Sequence, residues 1–295
     1  MYMAERLNRI NDYLFKYIFG RQENKDILLS FLNAVLSPAG EDELTDITLS
    51  DRELDPEHLK DKMSRLDILG VANDGSLINI EVQIASEKNI DKRTLYYWAK
   101  IYQSQLQSGM LYKDLARTVT VNVLNFSFLP DAQRYHSMFS LYEAHSGLRL
   151  NRDLEIHFLE LEKWKALSTK PRTRLDKWLM YLSNTDPKEL EEIAMSEPAI
   201  GKALTVEEIF LKNDKERYLY EMREKGIRDH LSAMDNAKTE GIEQGLAQGI
   251  AQGIERGKTE IALSMLKKGL SLNMIAEITD LPIEQIEEIR HRQLS

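Results

Sequence analysis

The stretch LDILGVANDGSLINIEVQ, residues 66–83, sets Asp67, Glu81 and Gln83 in apolar segments on either side of Asn73-Asp74-Gly75. A three-residue hairpin loop needs a left-handed residue, which Gly75 supplies. With that loop Ala72 faces Ser76, and Asp67 faces Glu81. Directly opposed side chains converge on one face of a sheet. The two-residue period of a strand adds Gln83 to that face and turns Ile68, Ile80 and Val82 to the other. Two carboxylates held this close repel and desolvate each other unless a cation lies between them or a proton is shared. A hard divalent ion suits such a pair. Mg²⁺ takes one or two carboxylates and keeps waters for substrate phosphates, and such an ion polarises a phosphodiester and acidifies an attacking water. The same residues would equally suit the solvent face of an antiparallel sheet with no ion, and an aspartate followed by E-x-Q does not by itself separate the two readings.

The surrounding elements must carry these groups. Apolar residues at 7, 10, 14, 15, 18 and 19 have helical spacing, as do those of DILLSFLNAVL (26–36), which stops before Pro38 and Gly40. LTDITLS reads as a short strand ahead of the hairpin. A helix is expected over 92–107, ended by Gly109, and TVTVNVLNF (118–126) alternates as a half-buried strand. Two more strands are expected at 137–143 and 154–161, and from about residue 164 onward only helical patterns occur. Pro187 and Pro198 stand near the starts of two of these helices.

The chain has 295 residues, 42% of them hydrophobic, enough to bury a sizeable core. It has no cysteine, which excludes thiolate metal sites and fits a reducing compartment. No basic region followed by an apolar run opens it, and no apolar run approaches a membrane span, so a cytoplasmic protein is expected. The net charge of −9 argues against broad electrostatic binding of nucleic acid. Residues 84–117 run against that balance, with Lys88, Lys92, Arg93, Lys100, Lys113 and Arg117 against Glu87, Asp91 and Asp114. The basic segment suits either a phosphate backbone or an ordinary solvated helix face.

The stretches NDYLFKYIFG, LLSFLNAVL, SRLDILGVANDGSLINIEVQ and RTLYYWAKIYQSQLQSGMLYKDLARTVTVNVLNF together resemble the PD-(D/E)XK nuclease superfamily, in particular its recombination-promoting nuclease and transposase-like group. The resemblance extends to the EGIEQGLAQG tract and the terminal IAEITDLPIEQIEEI segment. It implies an α/β restriction-endonuclease-like core, a mixed sheet flanked by helices, followed by an all-helical C-terminal region. It also implies a DNA endonuclease dependent on Mg²⁺ or Mn²⁺, linked to recombination, mobile elements or phage defence. Carried over by position, Asp67 is the central metal ligand, Glu81 the second, and the Val82 carbonyl lies nearby. Gln83 stands where the superfamily has a lysine, and Asp12 matches the acidic residue of the first helix that completes such sites, so the resemblance implies Asp67, Glu81, Gln83 and Asp12 as catalytic residues. Gln83 is a departure, since a neutral amide orients but supplies no positive charge. Lys16, one helical turn from Asp12, is expected to pair with it rather than to replace that charge. Arg93 and Lys100 are candidate DNA-backbone contacts, with Tyr96, Tyr97 and Tyr102 available to sugars and bases or to a core.

The expected organisation is a nuclease-like domain over 1–168, a helical extension over 169–239 and a terminal module over 240–295. Glycines at 241, 245, 249, 253 and 257 form a stripe on a helix whose other residues are too polar for a membrane. Interior glycines cost about 1 kcal/mol each relative to alanine. Close contact with a second copy, giving a homodimer, would offset this, and a linker generated by repeat expansion is the other reading. The terminal helices resemble a helix-turn-helix, but PIEQIEEIR offers glutamates where a DNA-reading helix needs donors, favouring a packing or dimerisation module. A catalytically weak, transposase-like regulatory protein acting through this tail is the alternative function.

Overall fold

A computed structural model describes residues 7–37, 39–40, 42–50, 67–86, 88–167, 170–183 and 186–294. The chain divides into two compact units, residues 1–226 and 227–295. In the first, six strands form one mixed sheet in the order β1-β2-β3-β4-β6-β5. These are β1 (Ile47–Leu49), β2 (Ile68–Ala72), β3 (Leu77–Gln83), β4 (Thr118–Leu124), β5 (His136–Phe139) and β6 (Leu154–Glu160). β1, β2 and β3 pair antiparallel, β3, β4 and β6 pair parallel, and β5 closes the far edge antiparallel to β6. Helix α3 (Ile90–Ser104) makes the crossover that the parallel β3–β4 pair requires.

The opening helix α1 spans Asp12–Phe19, starting later than its apolar spacing predicts. Asn11 sets the start, because its side chain accepts from the Tyr13 and Leu14 amides. Helix α2 (Lys25–Leu36) follows. Phe15, Phe19, Phe31, Trp178 and Tyr181 are fully buried together with Ile78, Ile80, Val119 and Val121 in one core. Trp178 and Tyr181 come from α5 (Arg174–Leu182), which follows the short α4 (Leu161–Ala166). Ile200 and Phe210 of α7 (Pro198–Leu211) belong to the same core, as do Leu190 and Ile193 of α6 (Pro187–Ser196). The helical extension up to residue 226 therefore packs in one unit with the sheet, and the division at 226/227 falls between the 168/169 and 239/240 boundaries expected from the sequence.

β4 departs from the half-buried expectation: all seven of its residues are buried. Val119, Val121 and Val123 face the main core, while Thr118, Thr120 and Asn122 lie under α3. Its alternation marks a polar interior layer, not a solvent face.

The helix α8 (Asp214–Lys267) begins in the first unit. Within the second unit its remainder is accompanied by α9 (Leu272–Thr279) and α10 (Ile283–Leu294) around a small core of Ala262, Ile275, Leu281 and Ile286. The glycine stripe is helical throughout, and among the described residues nothing beyond the adjoining residues and the helix's own backbone lies within 4 Å of where a side chain would begin at any of its five positions. Among the described residues no helix is long and apolar enough to cross a membrane.

Candidate active site

The β2–β3 hairpin has the register that its loop dictates. Ile68 pairs with Ile80 and Gly70 with Ile78, Gly75 has φ +83°, and its amide donates to the Ala72 carbonyl. Asp74 accepts from the Ser76 amide at 2.9 Å and closes the loop. One step beyond Ile68 and Ile80, Asp67 comes opposite Glu81. The Val82 amide donates to Asp67 Oδ2 at 2.8 Å and fixes that carboxylate at the end of the hairpin. A strand residue's N–H and C=O face the same neighbour, so the Val82 carbonyl also lies on the Asp67 side.

Asn79, Glu81 and Gln83 line one small cleft between the sheet and α3, with Thr120 and Asn122 from β4 and Arg93, Thr94 and Tyr97 from α3. Thr94 Oγ1 donates to Asn122 Oδ1 at 3.2 Å, tying the helix to the sheet. The Asn79 Oδ1, Gln83 Oε1 and Thr120 Oγ1 atoms are buried and have no hydrogen-bond partner among the described residues. Each such orphan costs roughly 1–3 kcal/mol, so this layer is built for polar occupants.

Both central carboxyls are perturbed in one direction. Burial, and then the Asp67 charge, push the Glu81 carboxyl up to about 8 against the partial opposition of Arg93. Burial likewise raises Asp67, against the Val82 amide and Lys16, with Asp12 adding to the rise. Arg93 approaches Glu81 Oε2 at 3.9 Å and lies 5.6 Å from the centre of the Tyr97 ring.

Lys16 and Asp12 are not arranged as expected. Lys16 Nζ lies 3.4 Å from Asp67 Oδ1. Asp12 instead accepts from Arg223 Nε at 2.6 Å, and this hydrogen bond raises the arginine. Arg223 stands in the first turns of α8, which are bound to α1 by further contacts. Glu224 accepts from the Asn11 side chain at 2.7 Å, and the Tyr220 hydroxyl accepts from the Asn8 amide at 2.8 Å. The partner for Asp12 is thus drawn from 211 residues away, which helical spacing within α1 does not reveal.

Of the aromatic residues on α3, Tyr97 is buried, Trp98 stacks on Tyr102 at 4.9 Å, and the Tyr102 hydroxyl donates to Asp153 at 2.7 Å. These three are structural, and Tyr96 alone among them is more than half exposed. Lys100 lies two helical turns beyond Arg93 on the same helix, outside the lining of the cleft.

The family of PD-(D/E)XK nuclease family transposases matches residues 9–237. The chain belongs to this family. No curated protein and no solved structure matches it. The matched span covers the sheet, α1 to α7 and the first turns of α8, so the family region includes the segment that brings Arg223 to Asp12. The family and the mixed α/β core agree with the resemblance of the sequence.

A divalent ion fits the donors that are present. Asp67 and Glu81 are opposed, buried and pushed toward protonation chiefly by burial, against the partial opposition of Lys16 and Arg93, and Gln83 adds an acceptor with no partner among the described residues. Among the described residues no cluster of three or more carboxylate or imidazole side chains converges to hold a metal. Two carboxylates alongside water and carbonyl oxygens is a ligand set that Mg²⁺ accepts.

Proposed function

We propose that this chain is a metal-dependent DNA endonuclease that hydrolyses phosphodiester bonds at Asp67 and Glu81. The observation that carries the reading is the buried, opposed carboxylate pair at the end of the hairpin, in a member of a nuclease family. Asp67 and Glu81 would hold Mg²⁺ or Mn²⁺, assisted by the Val82 carbonyl. When bound, the ion polarises the phosphodiester and acidifies a water. Gln83, whose Oε1 is buried and has no partner among the described residues, would orient that water by accepting a hydrogen bond from it. Arg93, at the lip of the cleft, would neutralise a substrate phosphate, and Lys100 with the exposed Tyr96 would continue the contact along DNA. Asp12 would hold Arg223 beside the site rather than bind the ion directly.

A homodimer through the tail belongs to the same proposal. Ile242, Leu246, Ile250 and Ile254 adjoin the glycines and are each more than half exposed, an apolar ridge that a second copy would cover. Two sites in one dimer would suit cutting of both strands.

The test is plasmid cleavage with Mg²⁺ or Mn²⁺. The wild type nicks or linearises DNA, and Asp67→Ala loses this; undiminished cutting by the variant refutes the assignment. Gln83 in place of a charged residue favours the second reading, a catalytically weak regulatory protein acting through its tail. Calorimetry showing no binding of Mg²⁺ or Mn²⁺, together with tight self-association, would select that reading.

A further inference from the structure

Three cations surround the three carboxylates, and their commitments differ. Arg223 is locked on Asp12 at 2.6 Å, and Arg93 is positioned at Glu81 and the face of Tyr97. Lys16 makes a looser contact with Asp67, at 3.4 Å, and its side chain is 36% exposed. It projects from a rigid base, since Leu14, Phe15, Ile18 and Phe19 of the same helix are fully buried. A compact ammonium on a flexible stem can change partners within its reach. The Asp67 charge that holds it is the one that a divalent ion would take over.

We propose that Lys16 is a catalytic residue that supplies the positive charge Gln83 lacks, moving from Asp67 to the reacting phosphate when the ion binds. The inference rests on the nuclease reading. In the step it serves, the water oxygen bonds to phosphorus and the bond from phosphorus to one sugar oxygen breaks. The proton lost by the water is balanced by the one gained on the leaving oxygen, and Lys16 keeps its own. The ammonium acts on the negative charge that gathers on the non-bridging oxygens, where a preorganised cation stabilises the transition state more than the ground state. A lysine that only propped up the Asp67 ligand would have the opposite relation to metal, because its loss would weaken metal binding along with cleavage; a lysine that only competed with the ion would leave cleavage undiminished when removed.

The experiment compares full-length wild type, Lys16→Met, Lys16→Gln, Lys16→Arg and Lys16→Met/Gln83→Lys, with Asp67→Ala as control. It reads plasmid cleavage and, separately, Mn²⁺ affinity by calorimetry. Removal of a single transition-state donor costs about 10²–10³ in rate, so Lys16→Met and Lys16→Gln should fall by that factor. Lys16→Arg should retain part of the rate, and Gln83→Lys should return at least tenfold to the Lys16→Met chain. Mn²⁺ affinity should stay the same or tighten, since a cation beside Asp67 has been removed. Cleavage within threefold of wild type in both neutral variants overturns the inference. So does weakened Mn²⁺ binding comparable with Asp67→Ala, which would make Lys16 a prop for its ligand, and so does failure of Gln83→Lys to restore rate. Those results leave the nuclease reading intact, whereas a wild type that does not cut removes both.

Discussion

Replacing Glu81 with glutamine should stabilise the metal-free protein while removing the proposed cleavage activity. The Glu81 carboxyl titrates near 8 in the fold against 4.5 for an unperturbed glutamate, chiefly through burial and then through Asp67. Between those values the native state keeps a proton that the unfolded chain has released. Stability is therefore whole below about pH 4.5 and declines as pH rises toward 8. By pH 7 the native state has lost about 2.5 pH units of this linkage, and at 1.36 kcal/mol per unit the cost is about 3 kcal/mol. The amide of the Glu81→Gln variant would mimic the neutral carboxyl without that cost. For a unit of this size roughly 2–4 °C of melting temperature accompanies each kcal/mol, so Glu81→Gln should melt roughly 6–12 °C higher at pH 7 in EDTA. The gain should vanish near pH 4.5 and grow toward pH 8. Mn²⁺ should stabilise the wild type, more at pH 8 than at pH 5, and leave the variant unmoved. Urea or thermal melts at pH 4.5, 7 and 8, with EDTA and with Mn²⁺, read all of this. A variant less stable than wild type at pH 7 in EDTA, or one whose stability falls with pH as steeply, would refute the idea that the buried carboxyl is strained.

Two other perturbations test the architecture. Arg9 and Glu207 form a buried ion pair at 2.6 Å, and the Tyr181 hydroxyl also donates to Glu207; Glu207→Ala removes this carboxylate from the buried arginine and should cost about 3–5 kcal/mol in urea unfolding. Gly245→Ala/Gly249→Ala adds methyls in open space within one copy and favours the helix by about 1 kcal/mol per residue. Sedimentation should nevertheless show that the proposed self-association weakens, and association unchanged or tighter would take the glycines out of the proposed contact.

Local patterns foretold much of the fold. The hairpin register followed from a loop length and a glycine, because period two leaves a strand only two choices of face. Helix α2 ended where its proline and glycine lie ahead, and the terminal helices fell between recognisable turns. What escaped was set by partners distant in sequence. Thr120 and Asn122 have the alternation of a solvent-facing strand, and only the α3 crossover converts them into a buried polar layer. Asp12 and Lys16 are spaced for a pair on one helix, yet Arg223 and Asp67 supply their partners from elsewhere. The extension after residue 168 reads as separate helices, since nothing in its own sequence shows that Trp178 and Phe210 complete the core under the sheet.

The turn at Asn73-Asp74-Gly75 lies at the opposite end of the hairpin from the reactive groups, yet it acts as their gauge. Asn73 also accepts from the Thr45 and Asp46 amides, clamping the loop to the chain that leads into β1. Adding or removing one residue there would shift β2 against β3 by a single position and send Asp67 to the face now occupied by Ile68. The carboxylates would remain in the chain, unaltered in kind, and no longer meet. A change of length in an otherwise tolerant surface turn would thus silence the site as thoroughly as replacing its aspartate.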